Sequence, residues 1–496
     1  VRLNGDEISA ATGAQALATG SEERPTRAVI DSSTAGPGDL FFGLRGESRD
    51  GGEFAAGAIE AGAWGVVVGP EHAAALAGTT GSRSVVAAGG GSGSAADGPG
   101  PGATDSLAAR GPLGRAWIFA AADPLAALQA LARANRRALG AQVLGVTGSV
   151  GKTSVKDIAR ALLPGRVHAN AQNFNTEIGL PLTILEAPDD TERLVLEMAM
   201  RGPGQIAELA QIAAPDAAII TNVGPVHVEL LGSVEAIAAA KAEVIDQLPA
   251  DGILIAPVEA GPELEPHLGR APRLLRFGPG GDVAAVESRV SGGATEALVR
   301  TPAGEARFVF PFAETYNLTN ALAAIAGGVA LGADPAEMAV RARDIGFSRF
   351  RGERVQLADG IVLVNDCYNA NPVSMRAALD HLATLAAPRT VAVLGQMGEL
   401  GPGEAGFHCE VGAHARAAGI DLVVGVGAAA REYDPDELVA DPGEAAEWLD
   451  SHLEPGDVVL IKGSRSVGME TIAAELLAVR GAGDGAGSAD RTGGVA

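Results

Sequence analysis

The stretch GVTGSVGKTS, residues 145–154, places two glycines, a lysine and hydroxyl side chains at the spacing of a phosphate-binding loop. Gly148 and Gly151 let the backbone bend so that successive amides across Thr147, Gly148, Ser149, Val150 and Gly151 point at a phosphate. The start of a helix then adds favourable dipole. Lys152 can reach terminal phosphates, Thr153 can hold Mg²⁺, and Ser154 follows on the first helical turn. One position departs: the general pattern puts a glycine where Val146 stands, and Gly145 sits one residue too early. The competing reading is a glycine turn with a surface lysine. Because an apolar strand, a turn, Gly-Lys-Thr and a helix coincide, phosphate binding is the better one.

Such a loop needs a strand to lead into it and a helix to follow it. QVLGVTG and GKTSVKDIARALL supply these, and further apolar runs alternate with helical stretches: RLVLEMAM, DAAIITNVG and GILIAPV, then SVEAIAAAKAEVIDQL. That alternation predicts a mainly parallel sheet covered by helices. A second series, GIVLVNDC, RTVAVLGQM, DLVVGVG and DVVLIKGS with SMRAALDHLATL between strands, repeats the pattern from about residue 347. Before the loop, GAWGVVVGP reads as a buried strand. WIFAAADPLAALQALARANRRAL reads as a strand followed by a helix capped by Asp123 with Pro124 at its first position.

At 496 residues, and roughly 150 residues per domain, about three domains are expected. The fold class is α/β, with an N-terminal domain over 1–138, a central domain over 139–346 and a C-terminal domain over 347–480. Residues 86–106 are too rich in Gly, Ser and Pro to fold alone and read as a flexible excursion; 481–496 read as a disordered tail.

Acidic residues outnumber basic ones 61 to 37, a formal charge of −24, which argues against nucleic acid or an anionic membrane as partner. The two cysteines, Cys367 and Cys409, have no partner at zinc-ligand spacing and fit a reducing cytoplasm. No run approaches the roughly 20 apolar residues of a membrane span, and the polar stretch VRLNGDEISAATG lacks the apolar core of a signal peptide. A cytoplasmic monomer without membrane insertion is expected.

TGSVGKTS resembles the T-G-x-x-G-K-[ST] loop of the Mur ligase family, which lacks the first glycine of the general motif. NFNTEIGLPLTIL (173–185), the stretch 196–244, FRGERVQ (350–356), NDCYNANPVSM (365–375), VLGQMGELG (393–401) and IKGSR (461–465) follow in the order of that family. Within it, Y-N-A-N-P-x-S resembles the branch that adds D-Ala-D-Ala to UDP-MurNAc-tripeptide. The resemblance implies an amide-forming ligase in peptidoglycan precursor synthesis. ATP would convert a carboxylate to an acyl phosphate, which the incoming amine attacks. A Mur-type ligase with another peptide or amino-acid substrate is the alternative; a non-catalytic nucleotide-binding regulator is a more distant one.

By that resemblance Lys152, Glu197, His227 and Lys241 are the catalytic set, and Thr153, Glu197, His227 and Lys241 lie near two Mg²⁺ ions. Read alone, Glu197 is an ordinary strand-end acid, His227 a loop histidine and Lys241 a helix-surface lysine. The resemblance implies that Lys241 is carbamylated, which needs a neutral amine and hence a lowered pKa. Asn317 and Asn320 resemble asparagines facing adenine, with helix capping as the other reading of Asn317. Arg351 and Asp366 would meet ATP. Tyr368, Asn369, Asn371, Lys462, Ser464 and Arg465 are candidates for the acceptor dipeptide or phosphate, and turn formation competes for the asparagines. Asp31, Ser32, Ser33, Asp50 and Gly51, with Asn175 and Thr176, resemble the UDP-substrate contacts. A Gly-Asp turn between strands competes there. Ser33, Gly52 and Tyr316 stand where relatives usually carry arginine, histidine and histidine.

Overall fold

The protein is described by a computed structural model over residues 1–82, 115–171, 173–226 and 228–482. The Gly-rich stretch 86–106, His227 and the tail beyond Ala482 lie outside the described residues. Two compact units are formed. The first comprises Val1–Val143, Gly165–Met198 and Glu208–Pro215; the second comprises Leu144–Pro164, Ala199–Ala207 and Asp216–Ala496.

In the first unit, five strands lie in the order Gln15–Ala18, Trp117–Ala120, Gly65–Val68, Asp39–Phe42, Arg27–Val29. Only the first pair is antiparallel. The two strands predicted here are Gly65–Val68 and Trp117–Ala120. Asp123 caps the helix Pro124–Leu139, accepting from Leu125 N at 2.9 Å and Ala126 N at 3.1 Å, and Gly140 closes it in the left-handed region. Buried polar residues on this helix fix what packs on it. Asn135 donates Nδ2 to Ile184 O at 3.0 Å and accepts from Arg2 N at 2.7 Å, so the segment Gly179–Glu186 is held by directed bonds as well as apolar packing. The strand Arg193–Glu197 pairs in parallel with Val167–Ala169 and delivers Glu197 at its end.

In the second unit, the strand Gln142–Thr147 pairs from Leu144 on with Ala217–Ile220, which is followed by Ile253–Pro257 and Arg273–Phe277, all parallel. These include the strands predicted from DAAIITNVG and GILIAPV. An antiparallel sheet of Ala284–Ser291, Ala294–Thr301 and Gly304–Phe310 comes next and was not predicted. Its first turn is Gly292-Gly293, both at positive φ (59° and 80°), the backbone that a two-residue hairpin demands.

The last sheet runs Glu353–Gln356, Val362–Asn365, Val458–Lys462, Thr390–Gly395, Leu422–Val426, Glu437–Val439. Its first pair is antiparallel and the others parallel. Alternate residues serve opposite faces. Leu363, Val391, Val393, Val424 and Ile461 pack with Leu449, Ile472 and Leu476 of two helices; Val364, Ala392, Leu394, Val423 and Leu460 pack with Met375, Leu379 and Val411 of two others. Burial on both faces is why these strands read as unbroken apolar runs. Each fully buried aliphatic side chain contributes about 1.5–3 kcal/mol. The predicted α/β class, with mainly parallel sheets flanked by helices, is the one observed.

Candidate functional site

The loop Gly148–Gly151 bridges the strand Gln142–Thr147 and the helix Lys152–Leu162. Gly148 has φ 148° and Gly151 φ 82°, both disfavoured for residues with a side chain. Space is also closed: a Cβ at Gly148 would overlap the Thr221 hydroxyl, and one at Gly151 would lie 2.5 Å from Asn320 Oδ1. Val146 is fully buried in the strand. The missing glycine of the general pattern is therefore a core position, and the loop proper begins at Gly148.

The next strand end braces the loop. Val150 N donates to Asn222 Oδ1 at 2.9 Å, Thr221 Oγ1 donates to Val150 O at 2.6 Å, and Ser149 N donates to Asn222 O at 3.0 Å. Ser149 Oγ accepts from Gly224 N at 3.0 Å. Thr221 and Asn222 were not singled out in the sequence; the only signal was a polar pair ending an apolar strand. Thr147 Oγ1 is buried and meets no partner among the described residues.

Two lysines converge on this loop. Lys152 Nζ donates to Gly148 O at 2.8 Å and Lys241 Nζ to the same oxygen at 2.9 Å. Lys241 sits on the helix Val234–Ala242, capped by Ser233, and is 2% exposed. Burial first, and then the nearby charge of Lys152, push its pKa well below the ordinary lysine value. It is not a helix-surface lysine.

In the first unit, Glu197 is 2% exposed. Its backbone N donates to Asn170 Oδ1 at 2.6 Å, and Oε1 accepts from Asn175 Nδ2 at 2.7 Å. Oε2 is buried without a partner among the described residues, so half of the carboxylate is unmet. Among those residues no three His, Cys, Asp or Glu side chains gather. Of the residues predicted near Mg²⁺, Glu197 in the first unit offers a carboxylate; in the second unit the buried Thr153 offers a hydroxyl, and Lys241 as an unmodified amine offers no oxygen. Oxygen donors of this kind suit Mg²⁺, and an orphaned buried carboxylate oxygen is the observation that fits it. His227 is outside the described residues.

Asp31 accepts from Ser33 N at 2.9 Å and Ser33 Oγ at 2.7 Å, capping the short helix Ser32–Thr34. Asp50 accepts from Gly52 N at 2.9 Å in the turn that includes Gly51, with His72 Nε2 at 3.3 Å from its other oxygen. The backbone bond is the largest influence and, with the smaller pulls of His72 and Arg45, holds its pKa below the usual carboxylate value against burial, which raises it. Thr176 accepts weakly from Gly179 N at 3.5 Å. Capping accounts locally for both acids.

Asn317 lies inside the helix Thr315–Ala330, and Glu314 takes the cap position, so Asn317 does not cap it. Asn320 Nδ2 donates to Asn317 Oδ1 at 3.2 Å. Lys462 Nζ contacts Asp366 Oδ2 at 2.6 Å and Asn369 O at 3.0 Å, joining three candidates. Arg351 stacks over Tyr368 at 4.2 Å, and its Nε is buried without a partner among the described residues. Asn371 caps the helix Pro372–Thr384 through Ser374 N at 3.0 Å, so the turn reading holds for it. Ser464 Oγ accepts from Gly398 N at 2.8 Å, and Arg465 pairs with Glu470 at 2.6 Å.

Residues 146–328 match the family model described as Mur ligase middle domain, and residues 350–465 that described as Mur ligase, glutamate ligase domain. A UDP-N-acetylmuramoyl-tripeptide--D-alanyl-D-alanine ligase of Bacillus subtilis (strain 168) is 36% identical over 368 residues, covering 72% of this chain and 80% of the relative. MurF from Acinetobacter baumannii superposes with a TM-score of 0.79 at 26% identity, over 96% of this chain and 98% of that one. MurF ligase from Thermotoga maritima in complex with ADP gives 0.74 at 28% identity, over 91% and 96%.

Proposed function

We propose, since this chain belongs to the Mur ligase family, that it uses ATP to add D-Ala-D-Ala to UDP-MurNAc-tripeptide in peptidoglycan precursor synthesis. The observation that carries this reading is the loop Gly148–Gly151 with Lys152 and the buried Lys241 on one carbonyl oxygen. It supports phosphoryl chemistry at a site where burial drives a lysine toward its neutral form.

In the reaction, a tripeptide carboxylate oxygen attacks the γ-phosphorus of ATP, the bond to the bridging oxygen breaks, and acyl phosphate and ADP form. The amine of D-Ala-D-Ala then attacks the acyl carbon; phosphate leaves, a proton goes to solvent, and the amide remains. Negative charge gathers at the phosphoryl group. Loop amides and Lys152 meet that charge. The neutral amine of Lys241 adds carbon dioxide, forming an N–C bond and losing a proton to solvent, so that a neutral amine becomes an anion with oxygen donors. Glu197, Thr153, His227 and the carbamylated Lys241 would hold Mg²⁺, which when bound supplies positive charge to phosphoryl oxygens. Asn317 and Asn320 take the adenine. Arg351 and Asp366 take the phosphate and ribose of ATP. Tyr368, Asn369, Asn371, Lys462, Ser464 and Arg465 form the acceptor side, and Asp31, Ser32, Ser33, Asp50, Gly51, Asn175 and Thr176 the UDP side. Residues 1–138, 139–346 and 347–480 divide these tasks as substrate, nucleotide and closing domains.

Incubation with UDP-MurNAc-tripeptide, ATP and D-Ala-D-Ala should release phosphate and form the pentapeptide. No release with this pair, alongside turnover of another peptide or amino acid, would replace the substrate assignment with the alternative Mur-type ligase.

A further inference from the structure

Glu314 holds the N-cap position of the helix Thr315–Ala330, yet its side chain makes no capping bond. The carboxylate turns inward and is 5% exposed. On one side Arg354 Nη2 and His381 Nε2 lie 3.3 and 3.5 Å from Oε1. On the other, Oε2 accepts from Asn317 Nδ2 at 3.3 Å, and Asn317 Oδ1 accepts from Asn320 Nδ2 at 3.2 Å. Asn320 Oδ1 is then the atom facing Gly151, 2.5 Å from where a Cβ there would stand.

An ionised carboxylate only accepts hydrogen bonds, whereas an amide end can be turned either way. Asn317 must therefore offer nitrogen to Glu314. Its oxygen is left for Asn320, whose own oxygen is left for the phosphate loop. Burial alone would raise the Glu314 carboxyl, but the hydrogen bond from His381, the backbone N–H and the charges of His381 and Arg354 bring it to about 2, so it is ionised at neutral pH.

We propose that Glu314 is a positioning residue for base recognition: through one acceptor-only group it fixes the amides of both Asn317 and Asn320, so that the pair accepts adenine and discriminates against hypoxanthine. Adenine offers an amino donor beside a ring acceptor; hypoxanthine offers a carbonyl acceptor beside a ring N–H, the reverse pattern. An amide locked in one orientation complements one of these, and a flipped amide complements the other. The inference rests on the reading of Asn317 and Asn320 as adenine contacts.

The test is calorimetric binding of ATP and of ITP to the full chain and to Glu314→Gln, with melting temperature recorded beside it. The amide that E314Q introduces is not restricted to accepting: it can also donate, which frees Asn317 to turn. The expected result is that the parent prefers ATP and that E314Q narrows the ATP-to-ITP ratio about tenfold, the scale of one buried hydrogen bond to a charged group. The KM for UDP-MurNAc-tripeptide stays at the parental value. A ratio unchanged in a folded E314Q, whether or not the melting temperature drops, overturns the inference and leaves Glu314 a structural residue. If E314Q does not fold, Glu314→Asp keeps a charged acceptor but draws it back by one methylene from Asn317 Nδ2, now 3.3 Å away; a ratio narrowed about threefold supports the inference, and an unchanged ratio overturns it. Binding does not require ligation. A parent that prefers ATP but forms no pentapeptide overturns only the ligase reading, whereas one that binds neither nucleotide overturns the nucleotide contacts and this inference together.

Discussion

Two buried lysines in the second unit, Lys241 and Lys462, are each 2% exposed but stand in opposite surroundings. Lys241 meets a carbonyl oxygen that it shares with a second lysine. Lys462 meets the Asp366 carboxylate at 2.6 Å and two carbonyl oxygens, those of Asp366 and Asn369. Burial alone does not decide what a lysine does: without an opposing charge it favours the neutral, nucleophilic amine, and with one it favours a fixed ammonium. The first suits carbamylation and the second suits holding a turn or an anion in place.

The sharpest way to break this contrast is to remove each lysine in turn. Lys241→Ala should lower ligation about 10³-fold, the scale expected when charge stabilisation at a transferring phosphoryl group is lost. Activity equal to the parent, with and without added bicarbonate, would sink the carbamylation, as would a ¹³C-bicarbonate-treated parent showing no carbamate signal by NMR.

Lys462→Met should act on stability as well as on the acceptor side, costing about 3 kcal/mol in urea unfolding because it leaves Asp366 without its partner. The double variant with Asp366→Asn should recover part of that cost. If the double variant is no better than the single one, the ion pair is not what holds the turn.

A third measurement concerns pH. The folded-state pKa of Lys241 lies below its unfolded value of 10.5. Between those two values the unfolded chain binds more protons, so stability rises with pH there, by at most about 1.4 kcal/mol per unit. Below the folded value the full penalty for charging the buried amine applies. Lys241→Met, measured by denaturant titration across that window in carbon dioxide-free buffer, should lose this rise; an unaltered slope would show that Lys241 is charged in the folded protein.

The smallest effect is expected at the floor on which Lys241 rests. Gly151→Ala adds a side chain at φ 82° and against Asn320. It should cost about 1–2 kcal/mol and raise the KM for ATP several-fold. A parental KM would mean that the loop conformation is not the one that ATP uses.

Much of the scaffold was legible. The loop, its strand and its helix follow from Gly148, Gly151, Lys152 and the apolar run before them, and the Asp123 cap followed from Asp-Pro at a helix start. The antiparallel sheet after Phe277 was missed although Gly292-Gly293 signals a hairpin. The strand Ala284–Ser291 is exposed over its last six residues and the middle strand Ala294–Thr301 buries only alternate ones, so they lack the apolar runs used to find the others. The site was less legible than the scaffold. Thr221 and Asn222 brace the loop from about 70 residues away, and Glu314 meets Arg354 and His381 from another segment. Asn317 shows the limit of local rules: Asn at a helix start favours capping, but tertiary neighbours place it inside the first turn.

Sequence alone determined where the chain bends at Gly148 and Gly151, which apolar stretches become the parallel strands and the helices between them, and which family the motifs belong to. These depend on backbone sterics and apolar periodicity, properties of neighbouring residues. Tertiary structure alone decided the chemical state of Lys241, whose carbonyl partner is 93 residues distant, and the direction in which the Asn317 and Asn320 amides point. A pKa and an amide orientation are set by burial and by the charges that surround a group, and those are brought together only when the chain folds.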